Sequence, residues 1–451
     1  MSQLKKVVKF RTVVSTSAGM AMATSCYAAG IEVANMVAGQ SAWIAVLVAG
    51  IMCIFSAMCF AELNGMYPSA AGIRLFIERA FGEKAALAIG AFYVGCALAM
   101  VGPETYILSN VIHVLLPSIH HLIWVVLFLG IIALINYRGV VVTGIVQDIL
   151  SYSMIVFMLI VGFYAISVSG ITAAELFRTG GTVNVFEAAA VGVFLYVGFE
   201  WVTPLAEEVT DSSMIARGML VAVGLLCITY AVFITGMTAV IPKDILAQSP
   251  IPHIEVGRKL FGQTGLIVFI IMSVLASMTS YNAGFLNFSR YMYAMGRDNV
   301  LPRVFSSISR HATPWFAILF CFTISLAISV YIYFSGRYLR LIMVSAAIEV
   351  IIYLVMALSV IRLRYKLPDD NRPYRVPGGL IIPVIAVIFF LVLLVGIYAQ
   401  DIVVLYIMIG VLVVCLLYTM LVVPRLRAAH EARMASRQPR RRRRPTDTDG
   451  T

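Results

Sequence analysis

Five carboxylates fall inside or near the ends of strongly apolar stretches of this chain: Glu32, Glu104, Asp148, Glu200 and Glu349. Arg290 is almost the only basic residue in such a stretch. Holding an ionised group at the centre of a bilayer costs at least about 2.5–3.5 kcal/mol, so these side chains must be protonated, wetted, or matched by something that arrives. That pattern suits a carrier coupled to protons, or one that accepts a cationic or zwitterionic solute. Glu32 reads as reaching water at its end of the span, and Asp148 lies about two turns from the opposite side. Glu349 is balanced between a functional role and the capping of a helix distortion near Ser345. Glu104, in VGPETYIL, sits near the middle of its span directly after a proline that weakens the helix there. Glu200 lies in FLYVGFEWVTPLAEEV, between Gly198 and Pro204.

Other chemistries find no residues to carry them. The six histidines (His113, His120, His121, His253, His311 and His430) occupy span ends or loops, and no two project from one helix face within the membrane. The seven cysteines (Cys26, Cys53, Cys59, Cys96, Cys227, Cys321 and Cys415) all lie in apolar stretches and form no CxxC pair. They read as small buried hydrophobes. A metal or haem enzyme, a zinc site, a disulfide framework and any resident cofactor are therefore not expected, and the chain is not read as an enzyme.

The elements that position the carboxylates follow from composition. Of 451 residues, 61% are hydrophobic and 12% charged, against roughly a quarter charged in soluble domains. This is a polytopic membrane protein. Twelve apolar stretches, near residues 13–37, 42–64, 86–113, 121–136, 140–168, 186–205, 217–240, 265–295, 314–335, 339–361, 379–399 and 402–423, are read as spans of a hydrocarbon core about 30 Å thick. Period-2 alternation is absent, so the spans are helices and the fold is all-α. With both termini on the cytoplasmic side, only Arg178, Lys243, Arg258, Lys259, Arg337 and Arg340 of the 33 Lys and Arg fall outside. That bias favours an even number of spans in the cytoplasmic membrane, and the net charge of +11 needs no nucleic-acid partner.

Loops are short, which leaves one membrane domain over 13–423 between a cytoplasmic N-terminus, 1–12, and a basic tail, 424–451, read as disordered. Residues 65–85 and 296–312 read as lying along the cytoplasmic surface, and 241–264 as the longest outer loop, with SPIPH as its turn-rich centre. Arg440 to Arg444 could contact anionic lipid, although a solvated tail that reinforces topology is the plainer reading.

Two spans carry built-in weaknesses. In the sixth, Gly198 removes a side chain beside Phe199 and Glu200, and Pro204 removes a backbone donor. In the first, ATSCYAAG is small and polar, suited to local unwinding. Each opens a five-helix half, about 13–168 and 186–361, with 379–423 as extra helices. Halves that each begin with an interrupted helix point to an inverted-repeat transporter with its site at the midplane.

At these residues the chain resembles the amino acid–polyamine–organocation superfamily of secondary transporters. Tyr196, Gly198, Phe199, Glu200, Ala206, Glu207 and Glu208 match its sixth-helix YxGFE…AEE signature. FAELNGMYPSAAG resembles its second helix and following loop, SRYMYAMGRDNVLP the segment after helix eight, and RPYRVPGG from Arg372 the ten–eleven loop. The resemblance implies a ten-helix core of LeuT type with discontinuous helices 1 and 6, working by alternating access, with a small amine or amino acid held between helices one, three, six and eight. It further implies that bare N–H groups in the first helix receive a substrate carboxylate. Relatives usually carry Gly-Ser-Gly there, whereas this chain has Thr24-Ser25-Cys26.

The substrate site is accordingly expected to involve Thr24, Ser25, Cys26, Tyr27, Glu104, Phe194, Tyr196, Gly198, Phe199 and Glu200, with Phe194 at the position of a shielding aromatic. Coupling to protons or sodium falls to Glu104, Glu200, Thr279 and Ser280, because Met154 stands where proton-coupled relatives carry Lys. The expected function is an amino acid permease or exchanger. An amine or polyamine permease that needs no substrate carboxylate is the alternative within this class, and a channel or ligand sensor the alternative outside it.

Overall fold

In the computed structural model, which describes residues 6–37, 40–249 and 251–437, long apolar sequences satisfy their backbone within helices. The first half contains α1 (Phe10–Ala21), α2 (Ser25–Met36), α3 (Ala42–Met66), α4 (Gly72–Phe81), α5 (Glu83–His113), α6 (His121–Tyr137), α7 (Val140–Ser169) and the single turn α8 (Ala173–Leu176). The second runs through α9 (Thr182–Gly192), two 3-10 segments (Val193–Tyr196 and Phe199–Glu207), α10 (Ser213–Val240), α11 (Lys243–Leu246), α12 (Pro252–Arg297), α13 (Trp315–Ser335) and α14 (Tyr338–Lys366). Helices α15 (Ile381–Gln400), α16 (Ile402–Leu421) and α17 (Val423–Arg437) follow. Among the described residues, nine helical segments are long and apolar enough to cross a membrane, and α6 is a shorter apolar helix.

The halves interlock rather than sit side by side. Helix α3 packs on α10, α5 on α14, and α7 on both α10 and α12, while α1 touches α7, α10, α12 and the 3-10 segment Phe199–Glu207. The broken helices thus run through the middle. Helices α15 and α16 lie outside this core, and Ile381, Val395 and Met420, each about two-thirds exposed, belong to an apolar surface that suits lipid.

Three segments differ from the sequence reading. The tail read as disordered from Pro424 is helical through Arg437, while Arg440 to Arg444 lie outside the described residues. The stretch 241–264 is not an open loop: α11 and the start of α12 fold within it, and His253 is 2% exposed. Gly262, with φ of 61°, breaks α12 into two helices, a conformation that glycine adopts without strain. Finally, 65–85 tucks inward, with Ile73, Phe76 and Ile77 of α4 buried, because its apolar residues recur at helical spacing.

Candidate functional site

The first helix breaks between Ala21 and Ser25, where Met22, Ala23 and Thr24 separate α1 from α2. A new helix starting inside a bundle exposes N–H groups that have no carbonyl one turn earlier, and its N-terminal end favours negative charge. Glu104 supplies that charge. Its Oε1 accepts the Thr24 N–H at 2.7 Å and the Ser277 hydroxyl at 2.9 Å, and its Oε2 accepts the Ser25 N–H at 3.4 Å. The Thr24 hydroxyl donates to the Ser273 carbonyl at 3.0 Å and lies 2.8 Å from the Ser277 Oγ, which ties α2 to α12. On the other side of the gap, the Ala21 carbonyl accepts the Tyr230 hydroxyl at 2.6 Å and the Cys26 thiol at 3.0 Å. The Ser280 hydroxyl donates to the Met20 carbonyl at 3.0 Å. The break therefore has partners for several of the polar groups it frees.

The sixth span breaks at Gly198, whose φ is 97°. Its N–H donates to the Tyr353 hydroxyl at 3.1 Å, and that hydroxyl donates to the Glu200 Oε2 at 2.7 Å. The Glu200 carboxyl neighbours the Glu349 carboxyl, and the Trp201 indole N–H donates to the Glu349 Oε1 at 2.7 Å. Both carboxyls are fully buried. Two neighbouring carboxyls out of water favour a proton on one of them, because like charges disfavour joint ionisation.

Between the two breaks lies a small cavity with about 20 Å³ open to water centres, lined by Met20, Ala23, Ser25, Val101, Glu104, Phe194, Ser280, Tyr281 and Ile342. A volume of that size holds about one water. Glu104 supplies its charge, Ser25 and Ser280 its hydroxyls, and Phe194 and Tyr281 its aromatic wall.

Of the residues expected at the substrate site, Ser25, Glu104 and Phe194 line the cavity, and Thr24 touches it through Glu104. The others point elsewhere. Cys26 turns back to Ala21, Tyr27 packs against His253 with ring centres 4.5 Å apart and the rings tilted by 47°, and Tyr196 donates to the Val46 carbonyl at 2.8 Å. Phe199 packs against Phe60 and Tyr353, and Glu200 lies in the carboxyl pair. Gly198 backs onto Met20, whose Cγ would lie 2.4 Å from a Cβ added there.

Of the hydroxyls expected to couple, Ser280 lines the cavity, whereas Thr279 is held in a separate cluster. The Gln147 side-chain N–H₂ donates to the Thr279 Oγ1 at 2.7 Å, the Ser151 Oγ at 3.0 Å and the Ser15 carbonyl at 3.2 Å. An amide donor thus sits amid oxygens that could otherwise face a cation. Asp148 belongs to neither group: it accepts the Ser15 hydroxyl at 2.6 Å and pairs with Arg11 at 2.9 Å. Glu32 is exposed, as its water-reaching position implies.

Several contacts were not legible from spacing. Ser277, Tyr281, Gln147 and Tyr353 carry ordinary residue types for a membrane helix and gave no signal, although Glu349 and Tyr353 stand one helical turn apart. His113 and His121 stack with centres 4.2 Å apart although they lie on different helices, and among the described residues no group could hold a metal.

A model of the family described as amino acid permease matches residues 10–423. The branched-chain amino acid permease BcaP of Bacillus subtilis (strain 168) is 25% identical over 387 residues, which cover 79% of this chain and 81% of that protein. The gamma-aminobutyric acid permease of Escherichia coli (strain K12) is 26% identical over 367 residues, covering 77% and 78%. Among solved structures, a mutant of the manganese transporter of Eremococcus coleocola superposes with a TM-score of 0.60 at 14% identity, over 94% of this chain and 98% of that one. At that identity the likeness is one of fold.

Proposed function

The chain belongs to the amino acid permease family, and from that premise we propose that it carries an amino acid or related small amine across the cytoplasmic membrane by alternating access. The observation that carries this reading is the pair of broken helices with a charged, aromatic-walled cavity between them. Twelve spans with both termini inside complete the proposal, supported by the six basic residues left on the outer side. Ser25, Glu104 and Phe194 are the residues of the site that meet the solute, and Thr24 holds Glu104 in place. The test is counterflow: proteoliposomes preloaded with an unlabelled panel of amino acids and amines are expected to take up labelled solute faster than empty ones, with saturation. A channel gives flux without counterflow, and a sensor gives no flux.

Coupling to protons fits the interior better than coupling to sodium. The Gln147 amide takes up the oxygens around Thr279, whereas Glu200 and Glu349 form a buried pair that holds a transferable proton. Replacing external sodium by potassium is expected to leave uptake unchanged, and an acid-outside pH gradient to raise accumulation. Glu200→Gln is expected to keep counterflow while losing at least about tenfold of gradient-driven accumulation. This follows because an amide cannot lose the proton that the gradient would return. Sodium-dependent uptake by the unaltered protein would overturn the assignment.

A further inference from the structure

An anion seat and its occupant are both built into this chain. The first N–H groups of α2 are where a solute carboxylate would dock, since a helix start inside a protein binds anions through bare N–H groups and its dipole. Here the Glu104 carboxylate already sits on them, at 2.7 Å from the Thr24 nitrogen and 3.4 Å from that of Ser25, with the Ser277 hydroxyl as its third donor. Glu104 is 5% exposed and forms no ion pair among the described residues, so its charge is met by dipoles and by no cation.

We propose that Glu104 is a tethered stand-in for a substrate carboxylate, and that the solute is an organic amine with no carboxylate at that position. The proposal rests on the permease reading and narrows it to a substrate class. A free α-amino acid would bring its carboxylate against Glu104, and two like charges at a buried site repel far more strongly than in water. To take the seat, it would have to expel Glu104 from its donors and leave a buried carboxylate without them. A decarboxylated amine meets neither obstacle. Its ammonium finds the Glu104 oxygens and the Ser25 and Ser280 hydroxyls, and its hydrocarbon part finds Phe194, Tyr281, Val101 and Ile342. Aromatic faces also attract cations.

The chain's own carboxylate also explains why the first helix need not carry glycines. A carboxylate delivered from α5 reaches the N–H groups on a tethered side chain, and Ser277 of α12 binds both it and the Thr24 hydroxyl. A freely diffusing carboxylate would need the clearance that bare backbone gives.

The experiment compares decarboxylated amines with their parent amino acids as competitors of counterflow in proteoliposomes: tyramine with tyrosine, agmatine with arginine, putrescine with ornithine. In at least one pair, the amine is expected to compete at least tenfold better with the unaltered protein. Glu104→Ala is expected to abolish that preference, and Glu104→Gln, which keeps the side-chain volume, to reduce it at least tenfold if the alanine variant does not fold. Saturable counterflow in which every parent amino acid competes as well as its amine overturns the proposal and leaves the permease reading intact. Counterflow of neither class overturns both.

Discussion

Arg290→Met alone is expected to destabilise the folded protein by about 3–5 kcal/mol, and Arg290→Met combined with Glu208→Met to recover most of that loss. The two side chains are 0% and 1% exposed, and the Arg290 Nε donates to the Glu208 Oε1 at 2.8 Å. A second donor of Arg290 reaches the Ser289 Oγ at 3.0 Å. Bringing both charges out of water cost the fold several kcal/mol per ion, and the contact returns it only while both members are present. Removing the arginine leaves a carboxylate buried beside apolar neighbours, whereas removing both leaves two flexible apolar chains that can fill the space. Thermal unfolding in detergent, followed by size-exclusion chromatography, reads the difference. Equal instability of the single and double variants would show that packing, and not charge, decides stability there.

Gly198→Ala is expected to lower transport at least tenfold with a much smaller loss of stability. The residue's φ of 97° lies in the region that a Cβ disfavours, which costs roughly 1–2 kcal/mol. The added Cβ would also meet the Met20 Cγ at 2.4 Å. Methionine can swing aside, so the protein folds, but the side chain is displaced into a cavity of about 20 Å³ that it already lines. The variant is therefore expected to raise the half-saturation concentration as well as to lower the maximal rate. Met20→Ala in the same chain should restore uptake in part. Gly130→Ala and Gly396→Ala, where nothing lies within 4 Å of the new atom, serve as controls and are expected to transport normally. Unchanged uptake by Gly198→Ala would remove Met20 from the site.

How much of this was legible in the sequence depended on how local each cause is. The sixth-helix break was readable because Gly198 and Pro204 act on their own backbone, and the first because small polar residues gather at 23–26. The exact gap, Met22 to Thr24, was placed slightly late because it is set by Tyr230 and Ser280 on distant helices, which bond the carbonyls at the end of α1. Glu104 stood out because a carboxylate after a proline in mid-span is rare. Its seat on α2 was not readable, since 80 residues separate the partners in sequence. Side-chain direction failed for the same reason. Tyr196 and Phe199 stand on either side of Gly198 in the signature, yet Tyr196 turns to Val46 of α3 and Phe199 to Phe60 of α3 and Tyr353 of α14, partners far away in sequence. The helix running to Arg437 was missed because its apolar residues are few, and contact with α16 is not visible from composition.

The first piece of one broken helix, α1, and the Phe199–Glu207 piece of the other are sewn together. Ser17 donates to the Phe199 carbonyl at 2.6 Å, Val8 bridges Val209, and the Val7 and Val8 N–H groups share the Glu208 carbonyl. Neither piece can swing without carrying the other, so the two act as a single gear rather than as two independent doors. Gearing of this kind guards against leak: a cycle with one moving body has no moment at which half of the barrier is withdrawn while the remainder waits.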